Sequence, residues 1–129
     1  MKVMVLDDDE TRHKIFAQYY RDSTVYCPTW NTTQAKAALL GTVWDVVYLD
    51  HSLGEYYNPD QERPEIIRER TGEHVVDWMC QELPEDRKPG LVIIHSHDVY
   101  PSERMASKLR QAGYKVQLNR FDPKAFINE

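Results

Sequence analysis

Five short apolar segments alternate along the chain with stretches whose apolar residues recur at helical spacing. Val3 to Leu6 is a nearly continuous apolar run, the pattern of a strand buried on both faces, as in a parallel sheet. From Glu10 to Arg21, Ile15, Phe16, Tyr19 and Tyr20 fall at helical spacing behind an Asp-rich start that complements the positive helix end. Thr24 to Cys27 predicts a second strand, and Thr32 to Leu40 a second helix that opens after Asn31 and stops at Gly41. Val43 to Leu49 is rich in β-branched and aromatic residues and predicts a third strand ending at Asp50. Gly72 to Leu83 carries Val75, Val76, Met79 and Leu83 at helical spacing, Leu91 to Ile94 is a fourth strand, and Ser102 to Gln111 is a helix stopped by Gly113. Lys115 to Phe121 completes the set as a fifth strand.

Strands and helices in strict alternation predict a doubly wound α/β sheet of the flavodoxin-like, receiver-like kind: five parallel strands in the order 2-1-3-4-5, helices on both faces. One domain over residues 1–129 is expected, with an expanded connection at about 51–71. That connection far exceeds the roughly 2–6 residues usual between strand and helix, which marks it as a lid candidate. Only PKAFINE follows the fifth strand, so a fifth helix is expected to be absent or vestigial, leaving the fifth-strand edge for a protein partner.

In open parallel sheets, ligands bind at the carboxyl ends of the strands, near the point where strand order reverses. Strand one ends in Asp7-Asp8-Asp9, strand three in Asp50-His51, and strand four in His95-Ser96-His97-Asp98. The order 2-1-3-4-5 brings these three clusters together. Converging carboxylates repel one another, and a bound cation relieves the repulsion. Oxygen ligands favour Mg²⁺, with Mn²⁺ also suited, and Asp7, Asp8 and Asp50 are the expected ligands. Histidines widen the choice of ion to include Fe²⁺ or Zn²⁺. The competing reading is that Asp7 to Asp9 only cap the first helix.

Near-neutral imidazoles suit proton transfer, so His51, His95 and His97 join Asp50 as candidate catalytic residues. His95 and His97 are two apart and would share a face if the strand continued through them. His13 and His74 fall on helices and are expected at exposed positions. Ser96 can bind a phosphate oxygen, or act as a nucleophile, although neither a separate Ser-His-Asp motif nor a glycine-rich phosphate loop supports the second role. Arg63, Arg68 and Arg70 in the long connection suit phosphate gripping, against the plainer reading of a solvated charged loop. Arg104, near the start of a helix, is a further candidate phosphate ligand.

Composition adds limits to this picture. The chain has 129 residues and a formal charge of −5, with 41% hydrophobic and 29% charged residues, enough to fold without disulfides or a structural metal. The charge argues against a broad nucleic-acid-binding surface, and no apolar run reaches the roughly 18 residues of a membrane span. Two cysteines, Cys27 and Cys80, and a strand-like MKVMVL opening fit a reduced cytoplasmic setting.

The segments MKVMVLDDDETR, VVYLDHSLG and VIIHSHD together resemble the receiver-domain superfamily of two-component signalling, across most of the chain. The resemblance implies that Asp7 and Asp8 match the metal-binding acidic pair, Asp50 the phosphoacceptor aspartate, and Ser96 the hydroxyl residue after strand four. The receiver's lysine before proline is replaced by Asp122-Pro123, with Lys124 after the proline. The patterns Leu49-Asp50-His51-Ser52-Leu53-Gly54 and His95-Ser96-His97 resemble a receiver-like branch that processes cyclic phosphates. Enzymes with two His-x-Ser/Thr motifs do not match, because this chain has only His95-Ser96-His97.

Two functions follow as expectations. The first is a metal-dependent phosphoesterase acting on a cyclic or terminal phosphate of a nucleotide or RNA end, in which Asp50 is a ligand or the nucleophile. The alternative is a divergent receiver phosphorylated on Asp50, or a receiver-like module that binds a protein without chemistry.

Overall fold

The computed structural model describes residues 1–23, 25–53 and 71–126. Five parallel strands form one sheet: β1 (Lys2–Leu6), β2 (Val25–Thr29), β3 (Val46–Leu49), β4 (Leu91–Ile94) and β5 (Val116–Leu118), in the order β2-β1-β3-β4-β5. Four α-helices connect them: α1 (Glu10–Tyr19), α2 (Thr32–Gly41), α3 (Gly72–Gln81) and α4 (Val99–Gln111). The arrangement is the one expected from the alternation of apolar runs.

Side chains of successive strand residues point to opposite faces, and each face has its own core. On one side Met4, Leu6, Val47, Leu49, Val92 and Ile94 pack with α2, α3 and α4 through Leu39, Val75, Val76, Met79, Met105 and Leu109. On the other, Val3, Val5, Tyr48 and Ile93 pack with Phe16 of α1. Pairing runs Val3↔Val46 through Leu6↔Leu49 and Val46↔Leu91 through Leu49↔Ile94. This register brings the carboxyl ends of β1, β3 and β4 level, so the residues that follow them meet.

Several boundaries differ from the sequence expectation, each for a local reason. β2 runs to Thr29, beyond Cys27, because it is an edge strand where Pro28, lacking an N–H, costs no interior ladder bond. β3 begins at Val46, after Val43 and Trp44. Trp44 is buried among the α2 side chains, and its indole N–H donates to the Ala38 carbonyl at 2.9 Å. α4 starts at Val99, three residues before Ser102, because a proline in the first turn lacks only an N–H that has no partner within the helix there. The Ser102 N–H already donates to the Asp98 carbonyl, so Arg104 is not at a free helix N-terminus. β5 pairs over only Val116–Leu118, and Leu118 is exposed. In place of a fifth helix stands one 3-10 turn, Pro123–Phe126, packed against α1.

His13 is buried, contrary to the expectation of exposure. Its Nε2–H donates to the Asp7 carbonyl at 2.7 Å and its ring lies against Trp30, so the polar side chain is satisfied on the core face of α1. His74 is half-buried and accepts from Lys36 Nζ at 2.7 Å. Cys27 and Cys80 are free thiols. No helix among the described residues is long and apolar enough to cross a membrane.

Candidate functional site

The three aspartates after β1 have separate tasks. Asp9 is the N-cap of α1, its side chain accepting the Arg12 backbone N–H at 2.9 Å. Asp8 is half-buried and lines a cavity of about 350 Å³ above the carboxyl edge of the sheet. Asp7 is fully buried and points into the centre of the site. The capping reading therefore holds for Asp9 alone.

Asp7 accepts from three sides. Arg12 binds it in a fork, Nε to Oδ2 at 2.7 Å and Nη2 to Oδ1 at 2.9 Å, and the Asp9 N–H reaches Oδ1 at 2.9 Å. His95 Nε2–H donates to Oδ2 at 2.8 Å. Burial alone would raise the carboxyl pKa, but the hydrogen bonds from His95 and Arg12 outweigh it and hold Asp7 down at about 2. Asp50, at the end of β3, is 6% exposed. Its Oδ1 accepts the His51 N–H at 2.9 Å, while Oδ2 lies 3.3 Å from Arg12 Nη2. Burial pushes the Asp50 pKa up, and the neighbouring Asp7 adds to the rise. The positive surroundings of His95 and Arg12 oppose it only in part.

Asp7, Asp50 and His95 each place one ligand atom within 4.8 Å of the others. Two carboxylates and an imidazole fit a small divalent ion such as Mg²⁺ or Mn²⁺ in donor chemistry. Asp8 lies outside this group. Arg12 occupies the carboxylate edges an ion would use, and with its side chain 28% exposed it has room to swing toward solvent.

His95 is held by the sheet beneath it: its N–H donates to the Leu49 carbonyl and its own carbonyl accepts from the Phe121 N–H. The rings of Phe16, Tyr48 and Phe121 meet it edge-on at centroid distances of 5.4, 6.0 and 6.4 Å. The strand ends at Ile94, so its alternation does not carry His97 to the same position. His97 is exposed, lines the cavity, and donates through Nε2 to the Phe121 carbonyl at 3.1 Å. Ser96 is buried at the cavity wall and its Oγ accepts the Asp98 N–H at 3.1 Å. Asp98 gathers Ser52 Oγ–H at 2.6 Å and His51 Nδ1–H at 3.3 Å, which hold its carboxyl below the usual range. His51 is thus turned to Asp98.

Arg104 pairs with Glu73 across α3 and α4 and does not line the cavity. Arg63, Arg68, Arg70 and the lid expected of the long connection lie outside the described residues. The residue that sequence reasoning missed is Arg12. Its signal was faint: a cation five residues after Asp7, in the first turn of a helix capped by Asp9. It is the one permanent cation among the described residues lining the cavity. The exit of β5 brings none, and Lys124 is exposed in the 3-10 turn. Gly72 was missed as well. Its N–H donates to the His51 carbonyl at 2.8 Å, and a Cβ there would stand 1.8 Å from the Asp50 carbonyl oxygen, so only glycine lets α3 start against this strand end.

A five-stranded parallel sheet with acidic residues after its first and third strands and a hydroxyl residue after its fourth defines a response-regulator-like receiver domain. Within that class, the chain belongs to the family of cyclic-phosphate processing receiver domains, whose profile matches residues 1–111. Solved structures share the fold. A response regulator protein from Burkholderia pseudomallei, with a phosphorylated aspartic acid, calcium ion and citrate, is 16% identical with a TM-score of 0.61. The match covers 96% of this chain and 62% of that one. The CheY-like receiver domain protein from Methanospirillum hungatei is 10% identical with a TM-score of 0.61, covering 96% and 85%. The receiver domain of Francisella response regulator 1452 is 16% identical with a TM-score of 0.61, covering 98% and 89%. No curated protein matches the chain by sequence.

Proposed function

We propose that this domain is a divergent receiver that accepts a phosphoryl group on Asp50. The supporting observation is that the Asp50 carboxylate lies in the wall of an open cavity of about 350 Å³, with Asp7, Arg12 and His95 gathered beside it. Phosphoryl transfer needs positioning and charge neutralisation more than covalent machinery, and this group supplies both. The His51 N–H fixes one carboxylate oxygen and leaves the other as the attacking atom. The Arg12 guanidinium, 3.3 Å from that oxygen, stands where it can meet the equatorial oxygens of the phosphoryl group. Ser96 lines the same wall and offers a hydroxyl donor. Asp7, Asp50 and His95 would hold the divalent ion, which when bound supplies neutralisation of phosphoryl charge.

One observation favours a second reading, hydrolysis of a cyclic or terminal phosphate ester. Where receivers carry a lysine, this chain brings none to the cavity, and the cavity instead has a buried histidine bonded to a carboxylate. A His–Asp pair of that kind suits proton transfer to a leaving oxygen. The family description, cyclic-phosphate processing, agrees with this reading.

The two are separated by one set of measurements. Protein incubated with acetyl phosphate and Mg²⁺ is expected to gain the mass of one phosphoryl group, and Asp50→Asn is expected to gain none. Turnover of a 2′,3′-cyclic nucleotide with Mg²⁺ or Mn²⁺, lost in His95→Gln, would move the conclusion to the hydrolase. Absence of both adduct and turnover, in protein shown to be folded, overturns the proposal.

A further inference from the structure

A second cavity, of about 230 Å³, lies against the first, and His95 lines both. We infer that this cavity, walled by Tyr19, Tyr48, His95 and Phe121 with Asn119 and Arg120 alongside, receives the heterocyclic base of a nucleotide whose phosphate occupies the Asp50 cavity. The inference rests on the reading of Asp50 as the phosphoryl centre and adds the class of molecule that carries the phosphate.

The chemistry of the walls leads to a base. Tyr48 pairs its hydroxyl with that of Tyr20, so it offers the cavity a ring and not a polar tip. Tyr19 and Phe121 are half-buried rings. Aromatic faces hold flat heterocycles by stacking, whatever the base. Polar selectivity is supplied at the edge. Asn119 carries both a donor and an acceptor, and Arg120 is exposed with no hydrogen bond or ion pair among the described residues. The His95 Nδ1 atom is buried and has no hydrogen-bond partner among the described residues, its Nε2 being spent on Asp7. A purely apolar guest would leave that nitrogen unanswered, whereas a heterocycle carries polar edge atoms.

Size separates a base from a whole ligand. The cavity is smaller than the roughly 300–1,000 Å³ of sites that enclose a complete ligand, so it suits one ring system. The neighbouring 350 Å³ cavity, with Arg12, Asp50 and Ser96 on its walls, suits the phosphate and its sugar. A ligand that spans both passes the edge of the His95 ring. This arrangement would distinguish nucleotides from other phosphate esters.

The test uses the whole chain and amide chemical shifts. Adenosine and cytidine, which have no phosphate, are expected to shift Asn119, Arg120 and Phe121 in a saturable manner. The corresponding monophosphates are expected to bind at least about tenfold more tightly and to shift Asp50 and His95 as well. Tyr19→Ala and Arg120→Ala, both at accessible positions, are each expected to weaken nucleoside binding about tenfold while the remaining spectrum shows a native fold. A dinucleotide with the same terminal phosphate distinguishes a nucleic-acid end from a free nucleotide by which binds more tightly. Nucleosides that shift none of these amides, or monophosphates that bind no better than inorganic phosphate, overturn the inference. Its failure is separate from that of the proposed phosphoryl acceptance, which is read by mass gain at Asp50 with acetyl phosphate and needs no base.

Discussion

Arg12 holds apart two charges that the fold forces together, and its removal makes the sharpest test of how this site is built. Asp7 and Asp50 have carboxylate atoms within 4.8 Å, which at an effective dielectric constant of 20 amounts to at least about 3.5 kcal/mol of repulsion when both are ionised. Arg12 offsets it with a fork on Asp7 and a contact to Asp50 at 3.3 Å. In Arg12→Met the apolar stem is kept and the charge is lost. Removing one partner of a buried pair typically costs about 3–5 kcal/mol, but His95 still donates to Asp7 and the guanidinium is partly solvated. The expected destabilisation in metal-free buffer is therefore about 2–3 kcal/mol.

The informative comparison is the same variant with a divalent ion. Arg12 and an ion use the same carboxylate edges, so Arg12→Met is expected to bind Mn²⁺ about tenfold more tightly than the wild type, the factor equivalent to 1.4 kcal/mol of competition removed. Urea unfolding with and without saturating Mn²⁺ reads the stability, and calorimetric titration reads the affinity. Saturating Mn²⁺ is expected to restore most of the lost stability through preferential binding to the folded state. A variant as stable as the wild type without metal would show that Arg12 is no counter-ion. An equal loss with and without Mn²⁺, together with unchanged affinity, would show that Arg12 contributes packing alone.

Other outcomes follow from the same geometry. Asp50→Asn is expected to stabilise the metal-free protein by about 0.5–1.5 kcal/mol in urea unfolding, since it relieves repulsion between buried carboxylates; a clear loss would contradict the raised Asp50 pKa. The two aspartates predict opposite pH limbs. Asp7, held at about 2, contributes about 2 kcal/mol that is present above the ordinary value of 3.8 and lost as pH falls from there toward 2. Asp50, raised, returns stability as pH falls through its folded value, so wild-type stability measured from pH 7 downward is expected to hold or rise before it drops, and Asp50→Asn to drop without the rise. Gly72→Ala places a Cβ 1.8 Å from the Asp50 carbonyl oxygen and is expected to cost more than about 2 kcal/mol and to reduce phosphoryl acceptance; wild-type behaviour on both counts would refute the close approach. Phe16→Ala, at a fully buried ring that meets His95, is expected to cost about 3–5 kcal/mol in urea.

What was legible in the sequence was whatever depends on periodicity and chain order. The apolar runs placed every strand, and strand order placed Asp7, Asp50 and His95 at one edge, since side chains that follow adjacent parallel strands must meet. Side-chain direction was less legible. Arg12 folds back over the strand end because the Asp9 cap starts the helix there, and a helix wheel does not show a fork closing on the preceding loop. His13 was misplaced because polarity argues for exposure, whereas a carbonyl acceptor from Asp7 and the Trp30 ring satisfy it inside. Gly72 reads in sequence as an ordinary helix start, and only the approach of the Asp50 carbonyl makes its missing Cβ necessary.

The source of positive charge determines what this receiver can do once phosphorylated. A lysine delivered by the last strand would sit apart from the acidic pair and contact a phosphoryl group without leaving another partner. Arg12 is already committed to Asp7, so it can serve a phosphoryl group on Asp50 only by loosening one arm of that fork. Asp7 then keeps His95, whose carbonyl accepts from Phe121 at the exit of β5, while His97 donates to the Phe121 carbonyl. A change at Asp50 is thereby coupled through Arg12, Asp7 and His95 to the last strand, by hydrogen bonds in place of a lysine. Phosphorylation is accordingly expected to move the amide resonances of Arg12 and Phe121 together, and a shift of Arg12 with Phe121 unmoved would break this connection.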